Sequence, residues 1–520
     1  MLKTRRLLHG QEITYPEAVD LEAVNVLQQL NYYHRHKQFF DHLNDQRSWM
    51  RCAAAHHLGL PSNKCQVSEV KDWVHGTFNV CIPITVDWKR KRQAGNRVLL
   101  RIPLPYRFCE ASGNSDEKIR CEAGTYSWLQ QNCPDVPIPH LYGFAMSTGE
   151  TFTATSYLPY LYRVFERFRR QILQFFGLAT PSHYIRHQPG QHFKMAGIGY
   201  ILIEYMEESQ GTMLSNTWPS ACLDKTLRAN FFRGLSHILL SITRIPLPRI
   251  GSFIIDNDGF LQLNNRPLSI ELQLLESDNI PTGISRHYTY SSVDPYIADL
   301  LAAHDSRLRN QPNAIKDISD FAIQSGALAA MRTISCLFFD RNLRHGPFVL
   351  SLTDLHQSNI LVDDELHIRC LVDLEWACSR PIEMIVPPYW LTDEGVEIDP
   401  AKYEIYRAEF LEILISEEKR SNISAMPSLS DVMKKTWESG TFWYSLALLS
   451  PTGLFSIFYK RIQPELAPFS PEFYQIMSLY WTKNVGAVIG EKMDDKIKYD
   501  IDLEAAFTDP VSLPQPTCRR

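Results

Sequence analysis

The sequence predicts an α+β protein of two lobes, an N-terminal lobe rich in antiparallel strands and a mainly helical C-terminal lobe. The chain has 520 residues, of which 44% are hydrophobic, so it is long for one domain and can bury substantial cores. Strand-like segments recur between residues 74 and 206, whereas long helical patterns dominate from residue 223 onward. This change of pattern along the chain indicates the two lobes.

The N-terminal half begins with a helical pattern at 20–45 and continues in short apolar runs typical of strands. A basic run at 89–96 indicates a solvated hairpin tip, and we expect an arginine-containing connection at 162–198. The predicted strands are 74–88, 97–104, 136–144, 151–161 and 199–206.

A helix is predicted at 115–132, where Ser115 and two acids provide a good N-terminus. Its apolar stripe includes Ile119 and Tyr126, and Glu122 lies on the same stripe. A carboxylate on a core-facing side is costly unless a cation meets it, so Glu122 needs a partner.

The C-terminal half reads as a helical lobe. The uncharged segment 440–459 is long enough to cross a bilayer, but Pro451 and Gly453 interrupt it, which favours a buried helix pair. The predicted helices are 223–243, 294–309, 315–341, 402–418, 429–449 and 471–490.

Composition limits the classes of function. Fifty-three Lys plus Arg against 58 Asp plus Glu give a net charge of −5, so nothing global favours nucleic acid or an anionic membrane as a partner. Eleven cysteines without a repeating spacing indicate reduced thiols in a cytoplasmic environment, and the N-terminus lacks a convincing targeting signal. Cys52, His56, His57 and Cys65 match no common zinc spacing, and helical packing explains them better.

The segment FVLSLTDLHQSNILVDDELHIRCLVDLEW, residues 348–376, places three polar residues at the ends of two apolar runs. The two runs are predicted to pair as a hairpin turning near residue 366, which would put Asn359 directly across from Asp373. Asp354 lies on the loop that enters the first strand. The hairpin therefore offers two oxygen ligands for magnesium and one further carboxylate able to accept a proton.

The spacing of Asp354, Asn359 and Asp373 resembles the D-x-x-x-x-N…D arrangement of kinase-fold phosphotransferases. DLHQSNILVD followed by LVDLEW resembles the aminoglycoside phosphotransferase and choline kinase-like superfamily, in the divergent form common in fungi. The likeness extends through HGTFNVCIPITV, RIPLP, EKIRCEAGTYSWLQ and GYILIEYM, and covers roughly residues 70–395 in order. It implies a two-lobed, protein-kinase-like fold.

The resemblance implies roles for the residues of the cleft. Asp354 would orient and deprotonate an acceptor hydroxyl, while Asn359 and Asp373 would hold magnesium on the phosphates. Arg101 stands where kinases usually carry lysine, and its guanidinium could pair with Glu122 and still reach the phosphates.

The resemblance also implies a nucleotide site. Gly76, Thr77 and Phe78 would form the hairpin that covers the nucleotide, with Gly76 letting backbone amides approach phosphate. The strand that ends at Glu204 and Met206 resembles the hinge, whose backbone would hold adenine.

Two departures from the pattern narrow the function. Leu352 replaces the histidine that usually precedes the catalytic loop, and Asp373-Leu374-Glu375 replaces DFG. No long activation loop with an APE-like end follows, which argues against a regulated protein kinase and for a small-molecule kinase. Because Leu352 and Arg101 depart from the pattern, a catalytically inactive protein that binds nucleotide or a partner protein stays an alternative.

We therefore expect an ATP-dependent phosphotransferase that uses Mg²⁺ and a small-molecule hydroxyl acceptor, acts in the cytoplasm, and has no nucleic-acid or membrane partner. The expected parts are a helical extension (1–69), an N-lobe (70–208) with the 162–198 insertion, a helical C-lobe (209–500) and a tail (501–520).

Overall fold

The computed structural model describes most of the chain, including every predicted site residue. The described ranges are 4–8, 10–21, 24–88, 96–108, 113–188, 197–392, 394–395, 397–421, 427–468 and 470–508. The basic run predicted at 89–96 lies outside them except for residue 96, and so does the end of the predicted tail, 509–520.

The N-lobe is built on an eight-stranded antiparallel sheet. Seven strands follow the order β3-β5-β6-β10-β7-β8-β9, and β4 pairs with β5 beside β3. Two of the predicted strands are shorter than expected, because a 3-10 turn, Thr155–Tyr157, follows β8 and the 136–140 stretch before β7 is irregular. The strands are β3 Cys65–Val67, β4 Val74–His75, β5 Asn79–Val86, β6 Arg97–Pro103, β7 Leu141–Ala145, β8 Thr151–Ala154, β9 Tyr184–Arg186 and β10 Tyr200–Glu204.

Helix α4, Asn114–Asn132, follows β6 and packs against a hairpin of the C-lobe, β12 Ser252–Ile255 with β13 Leu261–Asn265. Gly124 permits this close approach, because a Cβ at that position would lie 2.4 Å from the carbonyl oxygen of Phe253. The helix thereby crosses from one lobe to the other and turns Glu122 into the interior, as its apolar stripe predicts.

The N-terminal extension forms its own small core with the end of the chain. Tyr499 and Phe507 of the last helix pack among Val26, Leu30 and their neighbours, and the hydroxyl of Tyr499 accepts a hydrogen bond from the backbone N–H of Val26 at 3.0 Å. Residues 501–508, the first part of the predicted tail, are helical. The elements are β1 Arg5–Arg6, β2 Glu12–Ile13, α1 Tyr15–Asp20, α2 Val26–Asp45, α3 Arg47–Leu58 and α17 Val485–Thr508.

The C-lobe is mainly helical, as predicted. Two predicted helices are each divided at a residue with positive φ: 429–449 breaks at Gly440 (φ +77°), and 471–490 breaks before Asn484 (φ +57°). The helices are α6 Leu214–Ala221, α7 Lys225–Thr243, α8 Ile270–Ser277, α9 Val293–Asn310, α10 Ile318–Ile334, α11 Pro400–Ser421, α12 Leu429–Glu438, α13 Thr441–Leu448, α14 Leu454–Ile457, a π-helical turn Phe458–Ile462, α15 Gln463–Leu466 and α16 Pro471–Ser478.

Two short sheets hold the segment that carries Asp354, Asn359 and Asp373. Strand β14, Phe348–Leu352, pairs with β17, Ala377–Pro381, and a second sheet has the order β11-β15-β16. The strands of that second sheet are β11 Thr212–Met213, β15 Ile360–Val362 and β16 Ile368–Leu371. With these strands, the predicted α+β class is confirmed, with a strand-rich N-terminal part and a mainly helical C-terminal part.

The predicted 162–198 connection contains regular structure. Helix α5, Tyr160–Phe175, and strand β9 occupy much of it, because the segment carries a strong helical apolar period and then pairs back onto β8.

The uncharged segment 440–459 folds as the buried helices α13 and α14, as predicted. Within the described ranges, every helix is too short or too polar to traverse a lipid bilayer.

His56 and His57 belong to helix packing. His57 is fully buried, and its ring nitrogens contact the hydroxyls of Thr153 and Tyr200 at 2.9 and 3.0 Å. The nine cysteines in the described ranges are free thiols.

Candidate active site

The loop after β14 closes on itself through Asn359. Its side-chain amide donates hydrogen bonds to the backbone oxygen of Asp354 at 2.7 Å and to Asp354 Oδ2 at 3.3 Å. A 3-10 turn, Gln357–Asn359, joins the loop to β15. Asp354 and Asn359, which the spacing placed in one loop, are therefore in direct contact.

The hairpin register differs by one residue from the prediction. The backbone N–H of Val372 donates to Asn359 O at 2.9 Å, so Asn359 lies across from Val372 and not from Asp373. The difference arises because the turn is centred on residue 365 rather than 366, where the backbone N–H of Asp363 donates to His367 O. A one-residue shift between Leu361 and Val362 then brings Asn359 opposite Val372. Asp373 follows Val372 with φ +61°, a left-handed conformation.

The carboxyl group of Asp354 is tuned by its surroundings. Burial raises its pKa above the ordinary value, and the nearby charge of Asp373 acts in the same direction. His356 Nε2, 3.4 Å from Asp354 Oδ1, opposes this shift. The same hydrogen bond raises the pKa of His356. His356 lies within the DLHQSN motif, but the motif alone predicts no role for it.

Arg101 on β6 forms ion pairs with carboxylates from both lobes, Glu122 and Asp373. Its guanidinium is buried and donates to Glu122 Oε1 at 2.6 Å, which confirms the predicted ion pair. It also donates to Asp373 Oδ1 at 2.6 Å, a contact that sequence analysis did not foresee. The cation that compensates Glu122 therefore also holds the carboxylate expected to bind metal.

A second buried cation completes the network. Lys118 Nζ donates to Asn79 Oδ1 at 2.7 Å and forms an ion pair with Glu375, which in turn accepts from Asn79 Nδ2 at 2.5 Å. Lys118 Nζ also lies 3.4 Å from Glu122 Oε2. Burial and the charge of Asp373 raise the pKa of Glu375.

Lys118, Glu375 and Asn79 were missed as site residues. One signal was available, because Lys118 precedes Glu122 by four residues and so shares its helix face. Nothing in the sequence indicated that Glu375 would meet them from the other lobe.

The predicted nucleotide loop divides into exposed and buried parts. Gly76 and Thr77 are exposed, and a Cβ on Gly76 would meet only open space. Phe78 instead packs edge-on against Trp376, with ring centroids 4.9 Å apart, and near the guanidinium of Arg107. The Phe78 side chain is thus part of the core between the lobes, and only Gly76 and Thr77 are accessible to a ligand.

The predicted hinge follows β10. The Glu204 side chain accepts from the backbone N–H of His140 at 3.1 Å, which fixes the end of the strand. The backbone N–H of Met206 has no hydrogen-bond partner among the described residues, and Met206 is half-buried. An unpaired N–H at this position is suited to the edge of a heterocyclic base.

Asn359 and Asp373 fit a magnesium ion by their chemistry. Asn359 Oδ1 and Asp373 Oδ2 are hard oxygen donors that accept no hydrogen bond from the described residues, and the Asp373 side chain is 33% exposed. No cluster of three or more His, Cys, Asp or Glu side chains suited to a metal occurs in the described part of the chain. Two protein ligands, with phosphate oxygens and water, are typical of nucleotide-associated Mg²⁺.

Comparison with known proteins gives matches only among solved structures. No family model and no curated protein sequence matches the chain. The chain is similar to a thermostable mutant of the aminoglycoside phosphotransferase APH(4)-Ia in a ternary complex with AMP-PNP and hygromycin B, at 10% identity over 86% of this chain and 95% of the other, with a TM-score of 0.33.

Two further structures give similar values. An ethanolamine kinase from Plasmodium vivax is 12% identical over 82% of this chain and 87% of its own, with a TM-score of 0.35. A macrolide 2'-phosphotransferase type I is 12% identical over 81% and 97%, with a TM-score of 0.32. Because these identities and TM-scores are low, the functional interpretation of the cleft depends on its own geometry.

Proposed function

We propose that the protein transfers the terminal phosphoryl group of ATP to a hydroxyl group of a small molecule. The observation that carries this proposal is the arrangement of four side chains in the cleft. Asp354 contacts Asn359, Asp373 follows the residue that pairs with Asn359 in the hairpin, and Asp373 contacts Arg101. A proton acceptor, two oxygen donors and a cation are thus brought into one region of the fold.

Each residue would have a definite part in the reaction. Asp354 would accept the proton of the acceptor hydroxyl while the new bond to phosphorus forms and the bond to the ADP oxygen breaks. Arg101 would stabilise negative charge on the phosphates. Asn359 and Asp373 would hold magnesium, which neutralises phosphate charge when bound. Gly76, Thr77 and the backbone at Met206 would contact the nucleotide.

A second candidate is a protein that binds nucleotide without transferring phosphate. The Arg101–Asp373 contact favours it, because a buried guanidinium already neutralises the carboxylate expected to bind metal. The two candidates differ in whether chemistry follows binding.

Thermal unfolding and phosphate transfer, measured on the same samples, separate the candidates. Magnesium nucleotide at about 100 Kd should stabilise the folded chain by about 2.7 kcal/mol. Asp373→Ala should abolish the magnesium-dependent part of this shift. Asp354→Asn should keep the shift and lower transfer to a panel of hydroxyl compounds, followed by product mass, by orders of magnitude.

The matched control is Asp364→Asn, an exposed acid in the same hairpin, which should change neither property. A nucleotide shift with no transfer above the Asp354→Asn level would favour the binding-only protein. No shift with any nucleotide would contradict both candidates.

A further inference from the structure

Helix α5 carries its apolar residues on the face turned away from the protein. Leu161, Phe165 and Phe168 recur at helical spacing, and Phe168 is 63% exposed. Phe175, on the same face, is 85% exposed. The residue that α5 buries is Glu166, at 6%. A surface helix normally packs its apolar stripe against the protein, so the orientation of α5 is the reverse of the usual one.

The polar side of α5 attaches it to the protein. Arg170 donates to the backbone oxygen of Ser182, and the guanidinium of Arg169 lies 5.8 Å from the ring centre of Phe260. Strands β8 and β9, which flank the helix in sequence, pair directly with each other. A short turn could therefore join them, and the sheet does not require α5.

The exposed apolar surface is concentrated at this helix. Of the 26 large apolar side chains that are exposed in the described part of the chain, 10 lie between residues 160 and 178. All four exposed phenylalanines of that set are among them. Scattered exposed apolar residues are normal, but a contiguous patch of this kind marks an interaction surface.

The charges of α5 indicate which kind of partner covers this apolar patch. Four arginines, at 163, 167, 169 and 170, and one acid, Glu166, give the helix a charge of 4 − 1 = +3, on a chain whose net charge is −5. A second copy of the chain would bring two helices of charge +3 together. Anionic lipid satisfies both features, since acyl chains accept the apolar face and headgroups accept arginine.

We propose that α5 is an in-plane anchor that docks the protein on the surface of an anionic lipid bilayer. Its apolar face enters the boundary between headgroups and acyl chains. The exposed Arg163 and Arg167, on the opposite side of the helix, lie within one Debye length (~10 Å) of the headgroups and are attracted to them. This is a different mode from spanning, and it revises the expectation of no membrane partner that was drawn from net charge alone. It does not depend on phosphotransfer.

Co-sedimentation of the full chain with vesicles tests the proposal. The protein should bind vesicles rich in phosphatidylserine at low salt, bind less at high salt, and bind vesicles of phosphatidylcholine alone weakly. The double variant Phe165→Ser with Phe168→Ser should lose about tenfold or more in vesicle partitioning, because each ring leaves the interface. The double variant Arg163→Gln with Arg167→Gln should lose about tenfold on the anionic vesicles only.

The control variants Tyr480→Ser and Lys483→Gln replace one exposed aromatic and one exposed basic residue far from α5 in sequence. They should bind vesicles as the unchanged protein does. All variants alter exposed side chains, so their melting temperatures should match. Absence of vesicle binding, or binding that survives both double variants, would overturn the proposal. So would a dimer in sedimentation velocity that the phenylalanine variant dissociates, with no vesicle binding, since a second copy would then cover the face.

Discussion

At the scale of single residues, the buried part of the cleft contains four charged side chains. Arg101, Lys118, Glu122 and Glu375 are all buried, and each contacts at least one opposite charge. Isolated buried charges are very costly, so each of these side chains depends on the others. Removing one of these side chains is therefore expected to lower the free energy of unfolding by more than the loss of one ion pair would.

Glu122→Ala should destabilise the protein. The substitution leaves the Arg101 and Lys118 side chains with one carboxylate fewer in a buried site, which typically costs about 3–5 kcal/mol. Urea unfolding measures this loss. Glu365→Ala, which changes an exposed glutamate, is the control and should have little effect. An unchanged midpoint for Glu122→Ala would mean that the network does not form.

His356→Ala should move the acidic limb of the kcat/KM profile to higher pH, if the protein performs the proposed transfer. The His356 hydrogen bond lowers the pKa of Asp354, against the effect of burial, so its removal raises that pKa. A base must be ionised, and activity is then lost at a higher pH as acid is added. His367→Ala, on the same hairpin but exposed, should leave the limb in place.

At the scale of elements, α4 connects the N-lobe sheet to the β12–β13 hairpin of the C-lobe. It carries Lys118 and Glu122, and Gly124 sets its distance from β12. The sequence predicted this helix and its inward acid from the apolar stripe. The close packing of α4 against β12 could not be predicted from the sequence, because a glycine within a helical pattern can have several structural causes.

Gly124→Ala should therefore cost about 1–3 kcal/mol by overpacking, because the new Cβ would lie 2.4 Å from Phe253 O. It should also weaken the nucleotide-dependent thermal shift, since α4 must move together with Lys118 and Glu122. Gly490→Ala in α17, where a Cβ meets open space, is the control and should be neutral or stabilising. Equal melting temperatures for the two variants would contradict the packing described.

At the scale of the whole molecule, the two ends of the chain stabilise each other. Phe507 of α17 is fully buried and contacts Tyr15 of α1 edge-on, with ring centroids 5.7 Å apart. Arg5 Nε donates to Ala506 O at 2.6 Å. The N-terminal extension is thus held by the C-terminal helix, although Arg5 and Ala506 lie 501 positions apart in sequence.

Phe507→Ala should loosen the extension by about 3–5 kcal/mol, the usual cost of removing a buried phenylalanine. Limited trypsin digestion should then cleave the first residues faster, at Arg5 and Arg6, and N-terminal sequencing of the products measures this. Ile501→Ala, which changes an exposed residue of the same helix, should leave the cleavage rate unchanged. If the extension of Phe507→Ala resists trypsin as before, another contact must hold it.

The sequence alone determined the features that depend on period and spacing. The two-lobed division and the inward Glu122 follow from alternation, helical stripes and the cost of a buried charge, whereas its pairing with Arg101 follows from the resemblance. The spacing of Asp354, Asn359 and Asp373 likewise put them on one hairpin. Only the tertiary structure decided the contacts between distant segments.

The structure alone placed Glu375 beside Lys118, turned Phe78 into the core, shifted the hairpin by one residue and left the apolar face of α5 uncovered. A periodic pattern shows which residues share a face, but it does not show which segment, if any, packs against that face.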